Sequence, residues 1–132
     1  MSDEPKGTHA RGMEVRRAVL GDAHVDRAIE RTTPFTEDFQ RFIARYAWGE
    51  IWSRPGLDRR TRSAVTLTAL VATGREHELE MHIRAALRNG LTADEIGEVL
   101  LHCAVYCGVP AANGAFAIAQ GVFDELDGEG AG

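Results

Sequence analysis

Two polar pairs in this chain have a spacing suited to proton transfer. Glu78 and His82 lie four residues apart, and so do His102 and Tyr106. On a helix, residues at i and i+4 are neighbours on one face, so a carboxylate there can reach an imidazole. A carboxylate on one ring nitrogen fixes the tautomer and strengthens the hold on the proton, which suits a general acid. Each pair also has a plain reading: a surface pair for Glu78 and His82, a core tyrosine beside a solvated histidine for His102 and Tyr106. A third group, Arg54, Arg59, Arg60 and Arg62, gathers where a helix is expected to start. Guanidinium groups and the free N–H groups of a helix start both suit carboxylates. The same cluster also reads as solvated, or as paired with Glu50 and Asp58.

Other reactive side chains carry less. Trp48 and Trp52, again at i and i+4, read as core or interface before they read as a ligand surface. Cys103 and Cys107 are the only cysteines. They are not Cys-x-x-Cys, and i, i+4 geometry on one helix is poor for a disulfide. Their place on an apolar stripe favours inert core thiols. Glu78, His82 and His102 offer three metal-ligand types, but no His-x-x-x-His and no Cys/His cluster accompanies them. No metal is expected.

The elements that must position these residues are helical. Strict apolar/polar alternation is absent, whereas helix caps are frequent. The pattern predicts helices over about 22–31, from Thr36 through Phe39, Phe42, Ile43 and Tyr46, over 58–73, 76–89, 92–107 and 110–126. Thr92-Ala93-Asp94-Glu95 fits a capping box, Gly90 a helix terminator, and Pro110 a first-turn proline. The helix over 58–73 is almost uncharged after Arg62. The one over 92–107 carries a core stripe of Ile96, Val99, Leu100, Cys103 and Cys107, with Leu101 and Val105 on the opposite side. A helix apolar on two sides is buried twice, by its own chain or by a second subunit. The expected architecture is an all-α bundle of about six helices, one domain over 13–126, with a disordered leader (1–12) and a flexible tail (127–132).

Composition sets limits on partners. The 132 residues are 44% hydrophobic, enough for one packed domain. Twenty acidic against fifteen basic residues leave a net charge of −5, which disfavours nucleic acid as a partner. Fourteen of the fifteen cations are Arg, with Lys6 the exception. No apolar run approaches membrane-spanning length, and residues 1–12 lack a signal peptide's apolar segment. Two thiols without such a signal point to the cytoplasm.

Longer runs carry a resemblance. Tyr46 to Trp52, Arg54 to Arg62, Met81 to Gly90 and Tyr106 to Asn113 resemble the signature of the carboxymuconolactone decarboxylase family, and Gly12 to Asp26 resembles its opening. The likeness covers about residues 12–126 and implies an AhpD-like all-α fold that assembles as a homotrimer or homohexamer. It further implies conversion of 4-carboxymuconolactone to 3-oxoadipate enol-lactone and CO₂, in the protocatechuate branch of aromatic catabolism. The substrate would be a small lactone carboxylate, and its conjugated lactone carbonyl would serve as electron sink without a cofactor. On this reading His82 donates the proton, Glu78 tunes it, His102 or Tyr106 stabilises the oxyanion, and Glu50 is a further acid. Arg62 or Arg59 anchors the spare carboxylate, with Trp48 nearby. The runner-up is an AhpD-like thiol peroxidase, whose Cys-x-x-Cys-x-x-x-His motif registers on Arg75, Glu78 and His82 and so lacks both thiols here. A third reading is a non-catalytic helical oligomerisation module.

Overall fold

A computed structural model describes residues 4–131 of the chain, with side chains over 7–129. The regular elements of the described residues are all helices, in the order α1 (Glu4–Leu20), α2 (Asp22–Glu30), α3 (Glu37–Ile43), a π-helical segment (Ala44–Trp52), α4 (Arg59–Thr73), α5 (Glu76–Arg88), α6 (Ala93–Tyr106) and α7 (Val109–Ala131). They divide into two compact units, residues 1–58 and 59–132.

In the first unit, α1 occupies most of the stretch expected to be a disordered leader; residues 1–3 lie outside the described residues. Its amphipathic signal is weak because its stability comes from a crossing partner rather than from a regular stripe. Gly12 lies against the carbonyl of Ala44, and Gly49 against the carbonyl of Thr8. A Cβ on Gly12 would stand 1.9 Å from Ala44 O, and one on Gly49 would stand 2.6 Å from Thr8 O. Two glycines therefore let α1 and the π segment meet backbone to backbone. Val15, Val19, Val25, Ala44 and Trp48 form the buried side chains around this crossing. The helix expected to run on from Thr36 does so, but its hydrogen bonding widens to the i→i+5 pattern from Ala44 onward.

The second unit follows the expected punctuation closely. α5 ends in a Schellman motif: Leu91 N–H donates to Ala86 O (3.0 Å) and Gly90 N–H to Leu87 O (3.2 Å). Gly90 takes φ 106°, the left-handed conformation this motif requires. Thr92 Oγ1 accepts from Glu95 N–H at 3.1 Å, and Thr92 N–H donates to the Glu95 carboxylate at 2.9 Å, closing the capping box that starts α6. The core gathers Leu67 and Val71 of α4, Leu79, Ile83 and Ala86 of α5, Ile96, Leu100 and Cys103 of α6, and Ala115, Ala119 and Val122 of α7. Full burial of Leu67, Ile83, Ile96 and Leu100 is worth about 1.5–3 kcal/mol for each side chain. α7 continues as helix through the expected tail as far as Ala131, and Gly132 lies outside the described residues. No described helix is long and apolar enough to cross a membrane.

Candidate functional site

Arg60 ties the start of α4 to the start of α6. Its Nη1 and Nη2 reach the two carboxylate oxygens of Glu95 at 3.1 and 2.5 Å, and Nη1 also donates to the carbonyl of Gly90. The fork geometry holds the Glu95 carboxyl down at about 2, through the Arg60 hydrogen bonds first and the Thr92 N–H second. Arg60 is thereby committed to structure. Arg59 is exposed at the first position of α4. Arg62 is half-buried, with Nε withdrawn from water.

An open groove of about 720 Å³ runs between α4 and α6, lined by Ala64, Val65, Thr68, Ala69, Ala72, Glu98, Val99 and His102. It is apolar, with His102 and Glu98 as its ionisable groups among the described residues. His102 is exposed, and its ring lies 5.1 Å from that of Tyr106, tilted by 38°. The pairing of His102 with Tyr106 thus forms, but Tyr106 is 77% exposed and not part of the core. It sits in the last turn of α6, beyond the stripe that faces α4.

His82 is half-buried on α5 beside fully buried Ile83. Glu78, one turn before His82 on the same helix, is exposed. Spacing permits an i, i+4 contact, and an ion pair with so exposed a carboxylate is worth little to stability.

Glu50 and Trp48 belong to the first unit. Trp48 is buried and stacks on Trp52, with ring centroids 5.4 Å apart, so it packs as core; Glu50 is exposed on the same π segment. Cys103 is buried, its thiol donating to Thr68 Oγ1 at 3.8 Å, and burial pushes its pKa up. A thiol held protonated in an apolar core is a poor nucleophile, as the stripe position implied. Among the described residues no three His, Cys, Asp or Glu side chains gather as metal ligands do.

The residue that spacing did not single out is Arg16. It is buried in the first unit, beside a pocket of about 500 Å³. Its sequence signal was only an arginine where α1 otherwise turns Val15 and Val19 inward.

Fold and side chains together define an all-α protein with histidine, tyrosine and arginine side chains at helix borders and its deepest thiol held inert. The chain belongs to the carboxymuconolactone decarboxylase family, whose model matches residues 37–121. It is 53% identical to 4-carboxymuconolactone decarboxylase of Acinetobacter baylyi over 96% of this chain and 92% of that one. It is 43% identical to nitrosuccinic acid decarboxylase of Metarhizium robertsii, over 87% and 80% of the two chains. A 4-carboxymuconolactone decarboxylase sequence from Pseudomonas putida is 51% identical over 36% of this chain and 98% of its own length.

Proposed function

We propose that this protein is a carboxy-lyase that converts 4-carboxymuconolactone to 3-oxoadipate enol-lactone and CO₂. The observation that carries this reading is the 53% identity to the Acinetobacter enzyme across nearly the whole of both chains. The chemistry also agrees with the side chains available. The C–C bond to the departing carboxylate breaks, and its electron pair moves through the ring C=C to the lactone carbonyl oxygen. The resulting dienolate takes one proton at the ring carbon next to the carbonyl, giving the enol-lactone. The Metarhizium relative supports the same logic, since the nitro group of nitrosuccinic acid is another acceptor for a pair released with CO₂.

The protein then has three tasks: deliver a proton, stabilise an oxyanion and hold a spare carboxylate. His82, half-buried on α5, is the proton donor in this reading, with Glu78 one turn away on the solvent side. His102 or Tyr106 supplies the oxyanion donor, and Arg62 or Arg59 the carboxylate anchor. Glu50 is the second candidate acid. The buried, stacked position of Trp48 favours a packing role over contact with substrate.

The reading includes a homotrimer or homohexamer. Leu101, Val105, Tyr106 and Val109 stand exposed on α6 and the start of α7, and Val65 on α4. Leu101 and Val105 lie on the side of α6 away from its core stripe, and a second copy of the chain would cover these exposed apolar side chains. The chain's two unpaired thiols suit the cytoplasm.

Purified protein supplied with 4-carboxymuconolactone should release CO₂ as the lactone acid disappears. Nitrosuccinic acid is the contrasting substrate. No CO₂ from the lactone, with an assembled protein, would refute the proposal.

A further inference from the structure

Adjacent arginines on α1 meet opposite fates. Arg17, one-third exposed, pairs with two carboxylates, Asp22 at 3.1 Å and Asp26 at 2.8 Å. Arg16 is 93% buried, and among the described residues it has no carboxylate partner. Its one hydrogen bond is a long one, Nη1 to Gln40 Oε1 at 3.3 Å, and its Nε is sealed from water without an acceptor. Burial without a counter-charge lowers the guanidinium's pKa. A buried cation in this state carries an uncompensated desolvation penalty.

The same guanidinium borders a pocket of about 500 Å³, within the size range of small-molecule sites. Thr32, Thr33 and Gln40 give it polar walls; Met13, Ile29 and Pro34 give it apolar ones. The pocket's one acidic residue among those described, Glu37, is held by Arg41 at 2.9 Å. The charge facing the space is therefore positive, from Arg16.

We propose that this pocket is a binding site for the carboxylate group of a small organic acid. A carboxylate laid against Arg16 supplies the missing counter-charge and accepts charge-assisted hydrogen bonds from the guanidinium. Hydroxyl and amide groups of Thr32, Thr33 and Gln40 frame it, and the apolar wall takes the acid's carbon skeleton. The residues of this site all belong to the first unit.

Calorimetric titration of the full chain with succinate, propionate and the neutral succinamide tests it. Succinate and propionate should bind and succinamide should not. Arg16→Gln should weaken succinate at least tenfold, while Arg16→Lys, which keeps the charge, should retain part of the affinity. Because a buried arginine can matter for folding, Ile29→Glu is the second variant. Ile29 is 48% exposed at the rim, so the fold should survive, and its new carboxylate should compete for Arg16 and weaken succinate similarly. Binding that ignores both Arg16→Gln and Ile29→Glu, or equal binding of succinamide, would overturn the proposal. So would the absence of acid binding to wild type, the result expected if a carboxylate of a second copy already fills the pocket.

Discussion

Replacing Gly12 with Ala adds one methyl group where α1 meets the π segment, and it should destabilise the protein. The new Cβ would stand 1.9 Å from Ala44 O, 2.8 Å from Ala44 C and 3.0 Å from Gly49 N, all backbone atoms. Ordinary contacts of carbon begin at roughly 3.5 Å, so α1 must retreat by roughly 1.5 Å, enough to forfeit at least half the dispersion energy across the contact. Val15, Val19 and Trp48, buried around that crossing, would loosen with it. Overpacking of this kind costs about 1–3 kcal/mol, and a backbone obstacle that cannot rotate away puts Gly12→Ala near the top of that range. Alanine's better helix propensity returns about 1 kcal/mol, which leaves a net loss of about 2 kcal/mol. Gly121→Ala is the control: it lies in α7 with nothing within 4 Å of the added carbon, so it should gain up to about 1 kcal/mol from propensity alone. Gly49→Ala should also destabilise. The Gly12→Ala/Gly49→Ala double variant should lose less than the sum, because one separation relieves both clashes. Urea unfolding at fixed protein concentration, followed by helicity, reads all four. A Gly12→Ala protein as stable as wild type would refute the backbone-to-backbone crossing.

Three further outcomes follow from the second unit. His82→Asn should slow decarboxylation by roughly 10²–10⁴ with assembly intact; a correctly assembled variant with near-wild-type turnover would remove His82 from the mechanism. The double substitution Cys103→Ala, Cys107→Ala should leave turnover within about tenfold, equivalent to about 1.4 kcal/mol, at some loss of stability from truncating buried Cys103. A folded but inactive double variant would return the thiols to the chemistry. Glu95 titrates at about 2 in the folded chain against an ordinary 4.5, a depressed value, so its contribution is present above pH 4.5 and is lost as pH falls toward 2. The stability gap between wild type and Glu95→Gln should therefore close across that window, and shrink with salt because the pair is exposed. A gap constant from pH 5 to 2 would contradict the Arg60 fork.

Much of the second unit was legible in the sequence because its determinants are local. Thr92 and Glu95 satisfy each other's backbone within one turn, and Gly90 closes α5 through two bonds from adjacent N–H groups. Such signals need no knowledge of what packs where. The first unit is different. α1 contains Gly7 and Gly12 and a broken apolar pattern, which locally reads as a leader. What makes it a helix is the backbone of Ala44, thirty-two positions away, for which Gly12 is a fit and any side chain an obstacle. The π segment was hidden for a related reason. Its residue types suit an ordinary helix, and the wider turn is a matter of hydrogen-bond register, which residue types do not encode.

The candidate site divides along the same line. The ring contact of His102 with Tyr106 follows from i, i+4 spacing and forms, whereas the same spacing leaves Glu78 exposed beside a half-buried His82. Spacing decides only whether two side chains can meet; exposure to solvent decides how much they gain by it. Arg16 shows the converse. Nothing in its type or spacing separates it from Arg17, its neighbour in the chain. A helix turns by roughly 100° per residue, so one arginine faces the acidic start of α2 while the other faces the interior. There the fold provides Gln40 and an open pocket whose one described carboxylate, Glu37, is paired with Arg41. A residue whose significance lies in the partner it lacks leaves no pattern in the sequence, because the pattern would have to be an absence in three dimensions. Once the chain is folded, a buried guanidinium beside a pocket with polar walls constrains the proposed ligand more tightly than any motif. On that proposal the ligand is anionic, planar enough for the guanidinium fork, and small enough for the pocket.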